Sequence, residues 1–265
     1  MVATRGCAVI AHRGGAGEAP ENTWTAVEHV AELGLTWMET DLRVSADGLV
    51  ILSHDRDLTR TAADPRDIGE MTWKELSELD AGDGRPPVRL DDALVAFPRL
   101  RFNIDLKESA VVQDALQVVR AADALDRVRF ASFSARRLAV LRRQEPRATT
   151  SLGVGDVLAL VLHAEAGLRL PGTRWSWTKG RVDAVQVPAR YGRVPVVTER
   201  FVAQAHRDGL EVHVWTVDEP EEMRRLAAMR VDGIVTDVPA LALEVLGFLF
   251  CDIGYIHPKV AQIDL

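Results

Sequence analysis

The chain has 265 residues, 47% of them apolar and 27% charged, with a formal charge of −7; this is the balance of a soluble globular protein, long enough for one large domain or two small ones. The acidic balance argues against nucleic acid as the main partner, because phosphate-backbone binders carry a basic face, but leaves room for a small phosphorylated ligand. Its two cysteines, Cys7 and Cys251, exclude a disulfide framework and a zinc-ligand pattern and agree with a cytoplasmic location.

No long apolar stretch precedes the first expected strand and no run of about 20 apolar residues occurs, so neither a cleavable signal peptide nor a stable membrane span is expected. That first strand, 7–11, runs into His12, Arg13, Gly14 and Gly15. A helix follows, capped by Asn22 or Thr23, with Thr25 and Glu28 at capping-box spacing, Gly34 at its end, and Trp24, Val27 and Ala31 as its buried stripe. Strands 37–42 and 49–53 are joined by Ser45-Ala46-Asp47-Gly48, whose Asp-Gly is a turn signal, so one of the two is read as accessory. Residues 57–89 break the rhythm; they are rich in Asp, Arg, Gly and Pro, with a short helical stretch around Thr72–Leu79. They read as an excursion over one barrel end. Strands at 101–106, 128–132, 149–153, 184–187, 211–216 and 233–236 then alternate with helices such as 110–123, 134–144, 156–166, 198–208 and 219–229.

Repeated β-then-α units imply a parallel sheet with right-handed crossovers. A closed (β/α)8 TIM barrel takes about 250 residues, and over residues 1–246 it is favoured here above an open doubly wound sheet. The apolar tail 247–265 either docks on the barrel, forms a partner surface or is a frame artefact.

Glu39 and Asp41 stand two apart on one strand and share a face. Two like charges side by side repel unless a cation sits between them or one is protonated. Oxygen ligands at this spacing suit Mg²⁺ or Ca²⁺ better than zinc. Barrel sites lie at the C-terminal strand ends, where His12 and Arg13, His54 and Asp55, and the one-faced set Asn103, Asp105 and Lys107 also fall. Each has a plainer reading. Arg13 could pair with Glu18 or Glu21, Gly14 and Gly15 could serve turn geometry, and Asp55 could cap a helix or orient an imidazole. Asp105 and Lys107 could be a buried salt bridge. His29 and His206 read as solvated, His213 as an interior residue, and His163 and His257 carry no signal.

In order along the chain, Ala11-His12-Arg13-Gly14-Gly15, Pro20-Glu21-Asn22-Thr23, Met38-Glu39-Thr40-Asp41-Leu42, Asp47-Gly48, Ser53-His54-Asp55 and Leu58-Thr59-Arg60-Thr61 resemble the glycerophosphodiester phosphodiesterases. So do Pro87-Val88-Arg89-Leu90-Asp91-Asp92-Ala93-Leu94, Asn103-Ile104-Asp105-Leu106-Lys107, Val214-Trp215-Thr216-Val217-Asp218 and Asp232-Gly233-Ile234-Val235-Thr236-Asp237-Val238-Pro239. The resemblance spans about residues 7–245. It implies a TIM barrel with a small insertion over the C-terminal face of the strands. It also implies one divalent cation, Mg²⁺ or Ca²⁺, on Glu39, Asp41 and Asp105. In that frame His12 and His54 are the acid/base pair, Arg13 and Lys107 lie near the phosphate, and Trp215 walls the substrate's alcohol part. The reaction implied is hydrolysis of glycerophosphodiesters, such as glycerophosphocholine or glycerophosphoethanolamine, to an alcohol and glycerol 3-phosphate. The family often has glutamate where Asp105 stands, one methylene longer. The alternatives are a lysophospholipid or phosphoinositol phosphodiesterase, and a barrel that binds phospho-ligands without catalysis. Residues 57–89 and 172–195 would shape the alcohol pocket, where Trp175 and Trp177 clamp a headgroup or simply pack.

Overall fold

Short β-rich runs separated by amphipathic helices need both sheet faces covered, and a sheet closed on itself inside a ring of helices does this. In the computed structural model, which describes residues 6–166 and 181–251, eight strands do this. They are β1 Ala8–His12, β2 Trp37–Val44, β3 Arg101–Leu106, β4 Val128–Ala131, β5 Thr149–Ser151, β6 Arg181–Pro188, β7 Glu211–Trp215 and β8 Gly233–Thr236. Each pairs in parallel with the next, and β8 returns to β1 with Ala8 opposite Gly233 and Ala11 opposite Thr236. The barrel is closed, as expected.

Of the two strands joined by the Asp-Gly turn, Val50–Leu52 is the accessory one. It runs antiparallel to β2, with Leu42 opposite Leu52 and Val44 opposite Val50. Gly48 supplies the positive φ of +83° that the turn requires. The hairpin therefore rises past the end of β2 and folds back down, until the Ser53 amide donates to the Asp41 carbonyl at 3.0 Å.

Apolar side chains pack between barrel and helices in two large clusters. One is centred on Met38, Leu90, Phe102, Ile104 and Phe130, the other on Val185, Phe201, Val212, Val214 and Ile234. Residues 57–89 carry a smaller cluster of their own with Ile51, Leu58, Ile68, Met71 and Leu76, and a short helix Trp73–Leu76 whose Thr72 and Glu75 form a capping box.

At the N-terminal end of the strands the barrel interior is polar. Arg129 of β4 is 3% exposed. It reaches Asp183 at 2.8 and 2.9 Å and Glu211 at 2.7 Å, with its guanidinium 4.8 Å from the Trp37 ring centroid. His213 lies 3.3 Å from Glu211, and Gln186 donates to Asn103 at 2.7 Å. Charges buried this deeply persist only when paired, and this set fills the floor.

The first helix, Trp24–Glu32, is capped by Thr23, whose hydroxyl accepts from the Ala26 amide at 3.2 Å. Asn22 instead takes φ +56° and accepts from Thr40 Oγ1. The buried stripe is Ala26, Val27 and Val30 rather than one through Ala31, which is exposed, and Glu28 pairs with Arg85 instead of closing a capping box. His206 is exposed, as expected, and His29 half-buried; their rings lie 2.8 Å from Asp232 and 2.7 Å from Glu18. No helix among the described residues is long and apolar enough to cross a membrane. Trp175, Trp177, His257 and the tail beyond Cys251 lie outside the described residues.

Phe130 is fully buried in the first cluster. Phe130→Ala should lower the free energy of unfolding by about 3–5 kcal/mol, read from urea denaturation monitored by circular dichroism.

Candidate active site

Strand register alone gathers the charged residues. His12 at the end of β1 stands opposite Glu39 of β2, and Asp41 stands opposite Asp105 of β3. All four sit at or near the C-terminal ends of parallel strands, so their side chains meet at one mouth.

His12 is held from both sides. Its Nδ1 lies 2.7 Å from Asp237 Oδ1, just past β8, and its Nε2 lies 3.8 Å from Glu39 Oε2. A carboxylate only accepts, so Nδ1 donates to Asp237 and Nε2 is left for a reacting group. Burial disfavours charging the ring, but the Asp237 hydrogen bond and the charges of Glu39 and Asp237 outweigh it and raise the pKa of His12.

Arg13 follows at φ +51° and Gly14 at φ +87°. A Cβ on Gly14 would lie 2.5 Å from the Cβ of Ala26, so only glycine lets the first helix close over this turn. The Arg13 amide donates to Glu39 at 3.3 Å, and its guanidinium contacts Glu21 at 3.2 Å and Asp41 Oδ2 at 3.3 Å. Of the two partners expected for it, Glu21 is the one used; Glu18 binds His29.

Lys107 lies between two acids, 2.9 Å from Asp41 Oδ1 and 2.8 Å from Asp105 Oδ2. The sequence reading set Asp41 and Asp105 around a cation with Glu39. Among the described residues no three His, Cys, Asp or Glu side chains are placed to hold a metal ion, and Asp41 and Asp105 close on the lysine ammonium instead. The physical reason is the one that made the acids conspicuous: crowded carboxylates require positive charge, and Lys107 supplies it.

That charge does not satisfy the site. Asp105 Oδ1 is buried without a hydrogen-bond partner, and Asp41 Oδ2 has only its ionic contact with Arg13. Burial first, and repulsion from Asp41 second, push the Glu39 carboxyl up to about 8, and burial likewise raises that of Asp105. Buried acids with an unused oxygen, beside a neighbour that resists ionising, fit a hard divalent cation.

His54 arrives by a different route from the other strand-end residues. Because Val50–Leu52 runs antiparallel to β2, its end returns to the level of Asp41. The ring is oriented by Asp55, Nδ1 to Oδ1 at 2.7 Å, which is the orienting role rather than the capping one. Arg60, from the segment 57–89, then joins Asp55 at 2.7 Å to Glu21 at 2.5 and 2.7 Å. A continuous chain of contacts thus runs His54–Asp55–Arg60–Glu21–Arg13. An open pocket of about 540 Å³ lined by His54, Lys107, Arg43 and Arg60 lies beside it.

Trp215 ends β7 half-buried, and Phe133, just past β4, meets it edge to face with centroids 5.8 Å apart. Asp237, Arg60, Glu21 and Phe133 had no site role in the sequence reading, although Asp237 and Phe133 both lie at strand ends.

The sequence profile of the Glycerophosphoryl diester phosphodiesterase family matches residues 12–241. A relative from Mycobacterium tuberculosis, "Probable glycerophosphodiester phosphodiesterase 2", is 36% identical over 89% of each chain. The crystal structure of a glycerophosphodiester phosphodiesterase from Agrobacterium tumefaciens superposes with a TM-score of 0.74 at 26% identity, covering 91% of this chain and 99% of that one. An Oleispira antarctica phosphodiesterase, solved in complex with the product sn-glycerol-3-phosphate, shares the fold at a TM-score of 0.73 and 21% identity, covering 91% and 97%.

Asp237→Asn should lower the pKa of His12, since it removes both the hydrogen bond and the charge that favour the protonated ring. The sign for stability follows. A raised folded-state pKa gives stability that is present below the ordinary value of 6.5 and lost as pH rises through the raised one. NMR titration of the His12 ring in both proteins reads the shift; an unchanged midpoint would show no coupling.

Proposed function

Since the chain belongs to the glycerophosphoryl diester phosphodiesterase family, we propose that it hydrolyses soluble glycerophosphodiesters, such as glycerophosphocholine or glycerophosphoethanolamine, to an alcohol and glycerol 3-phosphate. The observation that carries this reading is the pairing of two imidazoles, His12 and His54, each with Nδ1 anchored by a carboxylate. His12 lies beside Glu39, Arg13 against Asp41, and His54 lines one pocket with Lys107, which bridges Asp41 and Asp105. The glycerol 3-phosphate bound to the Oleispira antarctica phosphodiesterase supports the assignment of the phosphate-bearing product.

Glu39, Asp41 and Asp105 would hold one divalent cation, Mg²⁺ or Ca²⁺, the dependence general in this family; bound there it would offset charge on the phosphoryl oxygens and acidify a nearby hydroxyl. The remaining work falls to side chains. One imidazole takes a proton at Nε2 from the attacking hydroxyl, while the other protonates the leaving alcohol oxygen. With the neighbouring glycerol hydroxyl as nucleophile, the first product is a cyclic phosphate that water then opens, and the two rings exchange roles. Arg13 and Lys107 stabilise negative charge as it grows on phosphorus-bound oxygen. Trp215 bounds the alcohol side. Asp55 and Asp237 keep each ring's reactive nitrogen turned outward. A cytoplasmic location belongs to the same reading and is supported by the scarcity of cysteine.

Incubating the purified protein with glycerophosphocholine and Mg²⁺ or Ca²⁺ should release choline and glycerol 3-phosphate; absence of both products would end the assignment. His12→Ala and His54→Ala should each lower kcat by about 10²–10⁴-fold with the melting temperature little changed. Excess EDTA should abolish turnover, and Asp105→Asn should weaken cation binding measured by isothermal titration calorimetry.

A further inference from the structure

Apart from Val95, the large apolar side chains left exposed among the described residues are gathered on one side of the barrel. Phe133 (59% exposed), Val154 (53%), Tyr191 (81%) and Val194 (65%) lie on the segments that follow β4, β5 and β6, three consecutive barrel strands. Those segments emerge at the C-terminal end of the barrel, the end that carries the site. They form one side of its mouth. Phe133 meets Trp215 of β7 on the inner side, and its carbonyl accepts from the Val154 amide at 3.3 Å. From Val154 the exposed stripe continues down its helix through Leu158 and Leu162. The opposite side of the mouth carries the charged network of Glu21, Asp55 and Arg60.

The segment after β6 has a definite shape. Arg190–Tyr191 pairs antiparallel with Val194–Pro195, Tyr191 directly opposite Val194, so the two apolar side chains share a face at the tip. Arg190 and Arg193 are interleaved with them, and both are exposed. An exposed aromatic, an aliphatic neighbour and two arginines on a hairpin suit a lipid–water interface. The rings and methyls leave water there while the guanidinium groups stay among headgroups. Against an overall charge of −7, these two arginines give the tip local positive charge, although Arg190 also faces Glu222 and donates to the Arg193 carbonyl at 3.0 Å.

We propose that this rim is a docking face for anionic lipid surfaces, with Tyr191 and Val194 entering the headgroup layer, Arg190 and Arg193 pairing with lipid phosphates, and the mouth opening beside the membrane. The inference concerns where the enzyme works and holds whichever diester it prefers.

Co-sedimentation with vesicles of phosphatidylcholine mixed with phosphatidylglycerol, compared with phosphatidylcholine alone, tests it. The protein should sediment with the mixed vesicles and bind the neutral ones more weakly. Tyr191→Ser combined with Val194→Ser should lower the partition coefficient at least tenfold. Arg190→Gln and Arg193→Gln should each lower it on the order of fivefold, on mixed vesicles only. Thermal melting of each variant should match the parent, and because sedimentation is read without turnover, a failure of docking stays separate from a failure of the activity itself. The proposal is overturned if the parent stays in the supernatant, if the Tyr191/Val194 variant sediments equally well, or if both vesicle types bind alike. It is also overturned if light scattering reveals a dimer that those two substitutions dissociate, since the rim would then be covered by a second copy.

Discussion

Repulsion among Glu39, Asp41 and Asp105 is the constraint around which the mouth of this barrel is organised. Parallel register brings Asp41 and Asp105 side by side and Glu39 one layer deeper beside His12. Nothing in folding favours three acids at such range, and the cost is visible in the Glu39 carboxyl, which burial and its neighbour drive up to about 8. Every cation nearby answers that charge. Lys107 bridges two of the acids, Arg13 leans on Asp41 and gives its amide to Glu39, and His12 is drawn toward its protonated form. A site under this tension is prepared for a doubly charged ion and an anionic ester together, because each relieves what the other group experiences.

The second organising element is the fold-back after β2. A ladder of parallel strands alone delivers functional groups from their C-terminal ends. The Ser45–Gly48 turn and the antiparallel strand Val50–Leu52 add another approach, lowering His54 to the level of Asp41 from above. Residues 57–89 then lock it. Arg60 binds Asp55, which holds His54, and Glu21, which holds Arg13. The imidazole and the guanidinium are therefore held by one shared ion network, although they come from different strands.

Much of this was legible in the residues. The β-then-α rhythm gives the barrel because strands such as Arg101–Leu106, where Phe102, Ile104 and Leu106 alternate with polar residues and nearly every position is buried, carry a strong signal. Alternation in β2 placed Glu39 and Asp41 together because a strand's period is fixed at two. Where reading failed, a charged side chain had an unusual home. Strand β6 begins at Arg181, not 184, because Asp183 turns inward to Arg129; from sequence, charges there look like loop. In the first helix the cap Thr23 and the buried Val27 are legible, but the stripe runs through Ala26 and Val30 and leaves Ala31 exposed, because packing against the barrel picks the face. Asp237 escaped notice since its role depends on β8 closing against β1, a contact 225 residues apart in sequence. The Lys107–Asp105 salt bridge is legible as one of the two readings of a shared strand face, whereas the second carboxylate on Lys107, Asp41, comes from the neighbouring strand, which no local pattern encodes.

The ion-paired floor around Arg129 has a consequence for traffic. With the guanidinium wedged against Trp37 and bound to Asp183 and Glu211, the barrel is a vessel sealed at its base. Whatever enters must leave by the same doorway, so departing fragments and incoming molecules compete for one passage. Any object that narrows that passage would throttle entry and exit alike.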